Sequence, residues 1–387
     1  MKWEMVKLGD LCAPNMGSLD PRKYPDESFD LYSIPAFDSR NPDCVKGLEV
    51  GSSKKCVEDG DLLLSRIVPH IRRAWVVSRT SKNRMIASSE WLIFRRDDIE
   101  ANFLRHLLIS DHFHQQFMAT VSGVGGSLLR ARPAQVFEIQ IPIPFKNGKP
   151  DLAEQKRIAA ILDKADGIRR KRREALQLAD DFLRSCFLDM FGDPVTNPKG
   201  WDRKALGELG TLERGASKHR PRNEPSLLGG DYPLIQTGDV ANSEGYIRTY
   251  KSTYSEKGLK QSKMWPKGTL CITIAANIGS TGILTFDSCF PDSVVGFCSD
   301  QEGRSEYVQG LFWFLKKILD EQAPQVAQKN INLKILRELQ VPSPPNDLQM
   351  KFANAVRSTE ALRQRMKSEE DTNLFSSLQQ SAFKGEL

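Results

Sequence analysis

The chain has 387 residues, a length that suits two domains of roughly 150 to 200 residues each. A hydrophobic content of 40% favours a folded protein. The formal charge of +6 points to a nucleic-acid partner rather than to an acidic protein partner. No apolar run approaches the roughly 20 residues that span a bilayer, and the opening "MKWEMVKLGDLC" lacks the apolar core of a signal peptide. We therefore expect a cytoplasmic protein that does not enter a membrane.

Short apolar segments alternate with one helical segment in the first half of the chain. The opening motif is "WEMVKLGDL" at 3–11, and "DGDLLLSRI" at 59–67 is a turn glycine followed by the continuous apolar run of a buried strand. "ASSEWLIFR" at 87–95 is a further strand candidate, and a helical pattern covers 100–121. This mixture predicts an α/β domain over residues 1–150.

The segment "EIQIPIP" at 138–144 closes the first domain. Pro142 and Pro144 lie two residues apart, so both project to one side of an extended chain and neither offers an N–H there. The residue before each proline is also pushed away from the helical conformation. We therefore expect an edge strand that leaves its sheet and reaches the next element through a hinge of a few residues.

Residues 151–192 predict one long helix. Asp151 and Glu154 form an acidic capping pattern, and Gly192 followed by Pro194 ends the helix. At 1.5 Å per residue the helix is about 60 Å long, so it needs a partner for its apolar stripe. The residues of this stripe that we assign to the spacer and to subunit docking are Ile158, Ile161, Leu162, Ile168, Leu176 and Phe182.

The second half of the chain repeats the first. Both halves contain the opening motif, the buried strand with its neighbour, a helical segment and a proline-containing exit strand. The repeated segments are "WDRKALGEL" at 201–209, "KGTLCITI" at 267–274, "DSVVGFCSD" at 292–300, the helical segment at 305–321 and "ELQVPSPP" at 338–345. We therefore expect a second domain of the same fold at 193–346.

A second long helix is predicted within 347–387, with Asp347 as its N-cap. Its stripe contains Phe352, Leu362 and Met366, and the polar residues 368–371 interrupt it. The two long helices are either unrelated surface helices or an antiparallel coiled coil. We favour the coiled coil, because a pseudo-twofold repeat places its long helices head to tail.

The sequence contains none of the common catalytic motifs. It has no G-x-x-x-x-G-K-[ST] loop, no H-E-x-x-H and no G-x-S-x-G. Seven cysteines at irregular spacing form no C-x-x-C pair, so we expect them to be structural. "SGVGGS" at 122–127 follows a helix instead of a strand, and we interpret it as a loop. We predict no active site and no metal site.

The chain resembles the specificity (S) subunit of a Type I restriction-modification system over nearly its whole length. The resemblance rests on the repeated head-plus-helix layout, Trp-x₄-Leu-Gly at the start of each domain, the proline-rich exit strands and "AEQKRIAAILDKAD" at 153–166. It implies two α/β (α+β) target recognition domains in a pseudo-twofold repeat, separated by a long antiparallel two-helix coiled coil.

In that family each head reads one half of a bipartite DNA site, and the helices space the heads and dock the methyltransferase subunits. The resemblance therefore implies a host-defence protein whose partners are double-stranded DNA, two methyltransferase subunits and restriction/translocase subunits. It implies no catalysis and no cofactor in this chain. S-adenosylmethionine, ATP and Mg²⁺ belong to the partner subunits.

Corresponding loops of the two heads carry different side chains. "GGSLLRAR" at 125–132 offers arginines that suit guanine or phosphate, whereas "QVAQKNIN" at 325–332 offers amides that suit adenine. We therefore predict a non-palindromic target. For each single residue, DNA contact and plain surface exposure stay open. The predicted DNA-contacting residues are Arg66, His70, Arg72, Arg73, Ser127, Arg130, Arg132, Lys218, Arg220, Gln236, Thr237, Asn277, Ser280, Gln325, Gln328, Lys329, Asn330 and Asn332.

Two other classes of function stay open on sequence grounds. One is a coiled-coil scaffold whose two heads bind protein or another ligand and do not recognise DNA. The other is a fused methyltransferase or nuclease, which the missing motifs disfavour. A DNA reader should lose affinity steeply as salt rises, and a scaffold of the first kind should not.

Overall fold

The computed structural model of the chain describes residues 2–12, 17–122, 129–322, 331–366 and 370–387. The chain folds into two compact units: unit 1 is Met1–Arg173 with Ser368–Leu387, and unit 2 is Glu174–Lys367. In the ranges just given, no helix combines the length and the apolarity that crossing a membrane requires.

Unit 1 is a mixed α/β unit that contains most of the short strands of the chain. Its strands are β1 (Lys2–Lys7), β2 (Ser18–Leu19), β3 (Ser28–Tyr32), β4 (Asp43–Lys46), β5 (Lys54–Cys56), β6 (Leu62–Ser65), β7 (Ala74–Val76), β8 (Arg84–Ala87), β9 (Trp91–Phe94), β10 (Val121–Ser122), β11 (Arg130–Ala131), β12 (Gln140–Lys146) and β13 (Lys149–Pro150). Its helices are α1 (Ala36–Ser39), α2 (Ala101–Leu108), α3 (Asp111–Ala119), α4 (Pro133–Phe137) and the first part of α5 (Leu152–Phe191).

Two sheets of unit 1 form its centre. One has five strands in the order β2-β5-β8-β3-β4, with β3 and β8 parallel, and the other has the order β7-β6-β9. Strand β6 is buried on both faces, because Leu62 and Leu64 join one hydrophobic core while Leu63 joins another. This two-sided burial explains the continuous apolar run in the sequence.

The predicted helix over 100–121 is two helices. Helix α2 ends at Leu108, and Ser110 caps α3 by accepting a hydrogen bond from the Phe113 N–H on its Oγ (3.4 Å). A serine in this position competes with the helical backbone, so the break follows from its capping chemistry.

The exit strand of unit 1 corrects the edge-strand prediction. Strand β12 lies between β1 and β13, because the chain turns at Asn147 and Gly148, both with positive φ, and pairs Phe145 with Pro150. Asn-Gly is the preferred sequence of a tight hairpin turn. In the strand ladders Pro142 and Pro144 pair with β1 alone, and the Pro144 carbonyl accepts a hydrogen bond from Asp151 N at 2.7 Å, just after β13.

Unit 2 has the same kinds of element. Its strands are β14 (Arg203–Ala205), β15 (Thr211–Arg214), β16 (Leu228–Leu234), β17 (Gly245–Ile247), β18 (Ser252–Tyr254), β19 (Met264–Trp265), β20 (Leu270–Thr273), β21 (Thr281–Leu284), β22 (Ser288–Cys289), β23 (Val294–Cys298) and β24 (Gln340–Pro342). Its helices are the rest of α5, α6 (Leu206–Leu209), α7 (Thr237–Ala241), α8 (Glu256–Lys260), α9 (Arg304–Gln322), α10 (Leu333–Glu338) and α11 (Asn346–Met366).

The sheets of unit 2 have the orders β15-β23-β20-β21-β17 and β18-β16-β22-β19. Strand β20 is the counterpart of β6: Leu270 and Ile272 face one core and Cys271 faces another. Strand β24 pairs only with β14 in a two-stranded sheet, so the edge-strand prediction is correct in this unit.

The internal repeat extends to individual backbone hydrogen bonds. Leu8 N donates to Ile139 O in unit 1 as Leu206 N donates to Leu339 O in unit 2, both at 2.9 Å. Arg66 N donates to Glu90 O as Ile274 N donates to Ser293 O, both at 3.0 Å. Ala131 N donates to Arg66 O at 2.8 Å as Ile331 N donates to Ile274 O at 2.9 Å. Each pair joins corresponding positions of the two halves. The two units therefore share one backbone framework with different side chains.

Each unit also contains an antiparallel pair of long helices. In unit 2 the ring centroids of Phe187 in α5 and Phe352 in α11 lie 5.4 Å apart, while Asp180 earlier in α5 pairs with Arg363 later in α11. In unit 1 the last helix, α12 (Glu370–Lys384), pairs with the first part of α5, since the Arg169 guanidinium lies 4.4 Å from the Phe375 ring centroid. The coiled-coil prediction is confirmed.

The predicted second long helix is therefore present as α11 and α12. Residues 367–369, which include the start of the interruption predicted at 368–371, lie outside the described residues.

Candidate nucleic-acid interface

The loop after β6, residues 65–73 (the first loop), is bound to the segment that precedes α4. Val68 N donates to Leu129 O at 3.0 Å, and Ile67 forms a β-bridge with Arg130. The framework thus brings together two stretches that the sequence places far apart, and with them the predicted contact residues Arg66 and Arg130.

Glu90 connects these two arginines. Its carboxylate accepts a hydrogen bond from Arg66 Nε at 2.9 Å and one from Arg130 Nε at 3.3 Å. Side-chain exposure is 29% for Arg66, 41% for Arg130 and 21% for Glu90, so the cluster lies partly open to solvent. Lys55 is close by, and burial together with the charge of Arg66 lowers the pKa of Lys55. The cluster carries more positive than negative charge.

The other predicted residues of unit 1 differ in their surroundings. His70 and Arg132 are exposed, whereas Arg72 donates to Ile109 O at 3.1 Å and pairs with Asp111 at 2.6 Å. Arg73 is only 11% exposed, which corrects its assignment as a direct contact: its guanidinium lies inside the unit near Asp38. Ser127 lies outside the described residues.

The second loop, residues 273–281, follows β20 in unit 2. Ile331 N donates to Ile274 O at 2.9 Å, as in the first loop, and Asn277 is exposed. Ser280 is 6% exposed and accepts a hydrogen bond from Lys316 Nζ at 2.9 Å, so its assignment as a direct contact is also corrected. Burial and this bond give Ser280 a role inside the loop and place the Lys316 ammonium beside it.

The remaining predicted residues of unit 2 lie at loops and helix starts. Lys218 and Arg220 are exposed, and Arg220 lies 3.4 Å from Asp292. Gln236 is exposed at the N-cap of α7, where Thr237 begins the helix.

Asn332 caps α10, and its side chain accepts from Lys334 N at 3.1 Å. Gln325, Gln328, Lys329 and Asn330 lie outside the described residues.

Both loops contain a strained residue at the same position. Val68 and Ala276 each have φ of 48°, two residues after the equivalent positions Arg66 and Ile274. Left-handed backbone is a real outlier for a β-branched valine, and such strain costs about 1–3 kcal/mol and is concentrated at functional sites. The shared strain marks these loops as built features of the framework.

A cleft of about 360 Å³ adjoins the second loop in unit 2. It is lined by residues 279–281 of the loop, by Lys316 and by Arg184 and Arg363 of the helix pair. Arg363 is buried and paired with Asp180 and Glu360. Arg184 and Lys316 have no carboxylate partner among the residues that the structure describes. Asp180, Glu244 and Glu360 also line the cleft, so its three cations face an equal number of carboxylates.

The residues assigned to the spacer helices fall into two groups. Ile158, Leu162 and Phe352 are buried in the cores of their units, so they cannot dock a partner, and that part of the prediction is corrected. The exposed members are Ile168 (54%), Phe182 (55%) and Leu362 (49%). The half-buried members are Ile161, Leu176 and Met366.

Sequence reasoning missed Glu90, Arg184 and Lys316. Glu90 stands in "SSEW" between two strands, and only the folded framework shows that it joins two arginines from other segments. The alignment of "ASSEWLIFR" with "DSVVGFCSD" was the available signal, because it sets the charged Glu90 opposite the uncharged Val295.

The fold defines a chain of two α/β units that share one framework, and part of the chain matches the model of a known family. Residues 198–368 match the family described as the Type I restriction modification DNA specificity domain.

The similar proteins have the corresponding names. The Type I restriction enzyme MjaIX specificity subunit of Methanocaldococcus jannaschii is 29% identical over 41% of this chain and 38% of that subunit. The HindI specificity subunit of Haemophilus influenzae is 20% identical over 89% of this chain and 90% of its own length. This chain thus aligns with well under half of the first relative and with most of the second.

A solved structure extends the likeness to the whole fold. The crystal structure of a Type-I restriction-modification system S subunit from M. genitalium superposes with a TM-score of 0.63 at 13% identity, over 99% of this chain and 96% of that one. The predicted resemblance and the predicted fold class are both confirmed.

Proposed function

We propose that this chain is the non-catalytic DNA-specificity subunit of a Type I restriction-modification system, and that it reads a bipartite, asymmetric double-stranded site with its two units. One observation carries the proposal. The two loops make the same pair of backbone hydrogen bonds at one position but carry different side chains there, Arg66 in the first loop and Ile274 in the second. A framework that repeats while its loop residues change is the arrangement expected of two readers with different targets.

The two loops differ in the chemistry that they offer to DNA. The first loop presents Arg66 and, through its bridge, Arg130, which suit guanine or phosphate. The second loop presents the exposed amide of Asn277, which suits adenine, and its Ser280 accepts a hydrogen bond from Lys316. We infer that different base sequences occupy the two half-sites.

The long helices have two roles in this proposal. Helix α5 contributes residues to both units, and its length sets the gap between the half-sites. Its exposed apolar residues Ile168 and Phe182, together with Leu362, dock two methyltransferase subunits and, through them, the restriction subunits. Catalysis with S-adenosylmethionine, ATP and Mg²⁺ takes place on those partners.

Salt dependence separates this proposal from a scaffold without DNA recognition. The full chain, purified with its methyltransferase partner, is titrated with duplex DNA at several salt concentrations. A DNA reader should show a linear fall of log affinity with log salt, with a slope proportional to its phosphate contacts. Absence of sequence preference at every salt concentration would contradict the proposal.

A further inference from the structure

In the cluster of Glu90, Arg66 and Arg130 in unit 1, the carboxylate holds each arginine by its Nε atom and not by its terminal Nη groups. Glu90 accepts from the Nε atom of both arginines. Among the described residues, none accepts a hydrogen bond from the Nη atoms of Arg66 or Arg130. A guanidinium held at Nε presents its terminal Nη groups in a fixed direction, and these groups form the planar fork that binds two acceptors at once.

The equivalent positions of unit 2 show that the fold does not need these charges. Ile274 N donates to Ser293 O as Arg66 N donates to Glu90 O, both at 3.0 Å. The same backbone framework therefore forms with an isoleucine and a serine in place of the arginine and the glutamate. Partly exposed ion pairs also contribute little to stability, typically about 0–1 kcal/mol.

We infer that Glu90 is a positioning residue for base recognition, which aims the Nη groups of Arg66 and Arg130 at guanine in the half-site read by unit 1. This inference rests on the proposed function and adds to it the residue that sets the reading geometry. Guanine offers O6 and N7 in the major groove, the acceptor pair that an arginine fork matches. A phosphate would need no such orientation, since it accepts from many directions.

The test compares Glu90→Gln with wild type in the full chain with its methyltransferase partner. Duplexes selected from a random pool first define the two half-sites, and affinities are then measured on the selected site and on single-base variants. In Glu90→Gln the preference for guanine at one or two positions of one half-site should fall roughly ten- to a hundred-fold. Preference in the other half-site should stay unchanged.

A second readout separates positioning from a structural role. Glu90→Gln removes a negative charge beside two cations, so affinity for unrelated duplex should stay the same or rise while discrimination falls. A variant that is merely damaged would lose both. Glu90→Asp keeps the charge and should restore part of the guanine preference.

Two matched controls accompany these variants. Glu58→Gln makes the same change of charge at an exposed glutamate that pairs with Arg95, and Ser293→Ala changes the equivalent position of unit 2. Neither should alter the half-site of unit 1. If Glu90→Gln does not fold, Arg130→Lys, which keeps the charge but loses the fork, should lose the same guanine preference.

The possible results have distinct meanings. Loss of guanine preference at one end supports the inference. Unchanged preference overturns it, and so does a uniform loss on all sequences with a shallower salt slope, since that result assigns the arginines to phosphates. A wild-type protein without any sequence preference would overturn the proposed function as well. The selection experiment on the wild-type protein shows this before any variant is made, so the two failures can be told apart.

Discussion

Gly310 in α9 lies against the long helices of unit 2 and leaves no room for a side chain. A Cβ atom at this position would lie 2.6 Å from Phe187 Cδ2 and 3.2 Å from Phe352 Cε1. Gly310→Ala should therefore destabilise unit 2. Overpacking costs about 1–3 kcal/mol, which outweighs the roughly 1 kcal/mol that alanine gains over glycine inside a helix.

Phe187→Ala should relieve this overlap. Phe187 is fully buried and packs on Tyr307, with 5.9 Å between ring centroids, so the substitution alone should cost about 3–5 kcal/mol. In the double variant the new methyl group occupies space that the ring has left. Because the two changes share one space, their effects should not add, and the double variant should be more stable than the sum of the single effects predicts by about 1–3 kcal/mol.

Chemical denaturation followed by circular dichroism measures all four members of this cycle. Phe182→Ala is the matched control, since it removes the same ring from the same helix at a position that is 55% exposed. Its free energy of unfolding should change by less than about 0.5 kcal/mol. Effects of Gly310→Ala and Phe187→Ala that add within about 0.5 kcal/mol would refute the packing of α9 on α5.

Two further substitutions test the first unit. Val68→Gly should stabilise unit 1 by about 1 kcal/mol, because glycine relieves the left-handed strain of a β-branched residue. Ala276→Gly should stabilise unit 2 by less. Equal melting temperatures of Val68→Gly and the wild-type protein would contradict strain at Val68. Burial, with the adjacent Arg105, lowers the pKa of His106 from 6.5 to about 4, so the unfolded state takes up a proton first as pH falls. The free energy of unfolding should therefore drop by about 3 kcal/mol between pH 6.5 and pH 4, and His106→Gln should reduce that drop in a pH series of denaturation curves.

Local patterns predicted the long elements well. Helix α5 runs from Leu152 to Phe191, against a prediction of 151–192, because its 3-4 apolar spacing and its end signals are contained in the segment itself. The continuous apolar run of β6 likewise predicted a buried strand. The hairpin at Asn147 and Gly148 was missed although its turn signal is local, since the prolines before it suggested that the strand ends there.

The candidate site was predictable only in part, because burial and partners depend on the folded framework. Arg66 and Arg130 were identified as cations in loops, but their common partner Glu90 becomes visible only when three separate segments meet. Ser280 stands in a predicted loop and yet is buried, and the Arg73 side chain in the other loop is only 11% exposed. A loop sequence does not show which of its polar side chains turn inward.

The central claim is that the two units read two different DNA sequences. The most direct measurement is selection of bound duplexes from a random pool by the full chain with its methyltransferase partner. If the claim is correct, the bound duplexes contain two enriched clusters of different sequence, separated by a fixed unread gap that changes when whole turns are removed from α5. No enrichment, a single cluster, or two identical inverted clusters would contradict it.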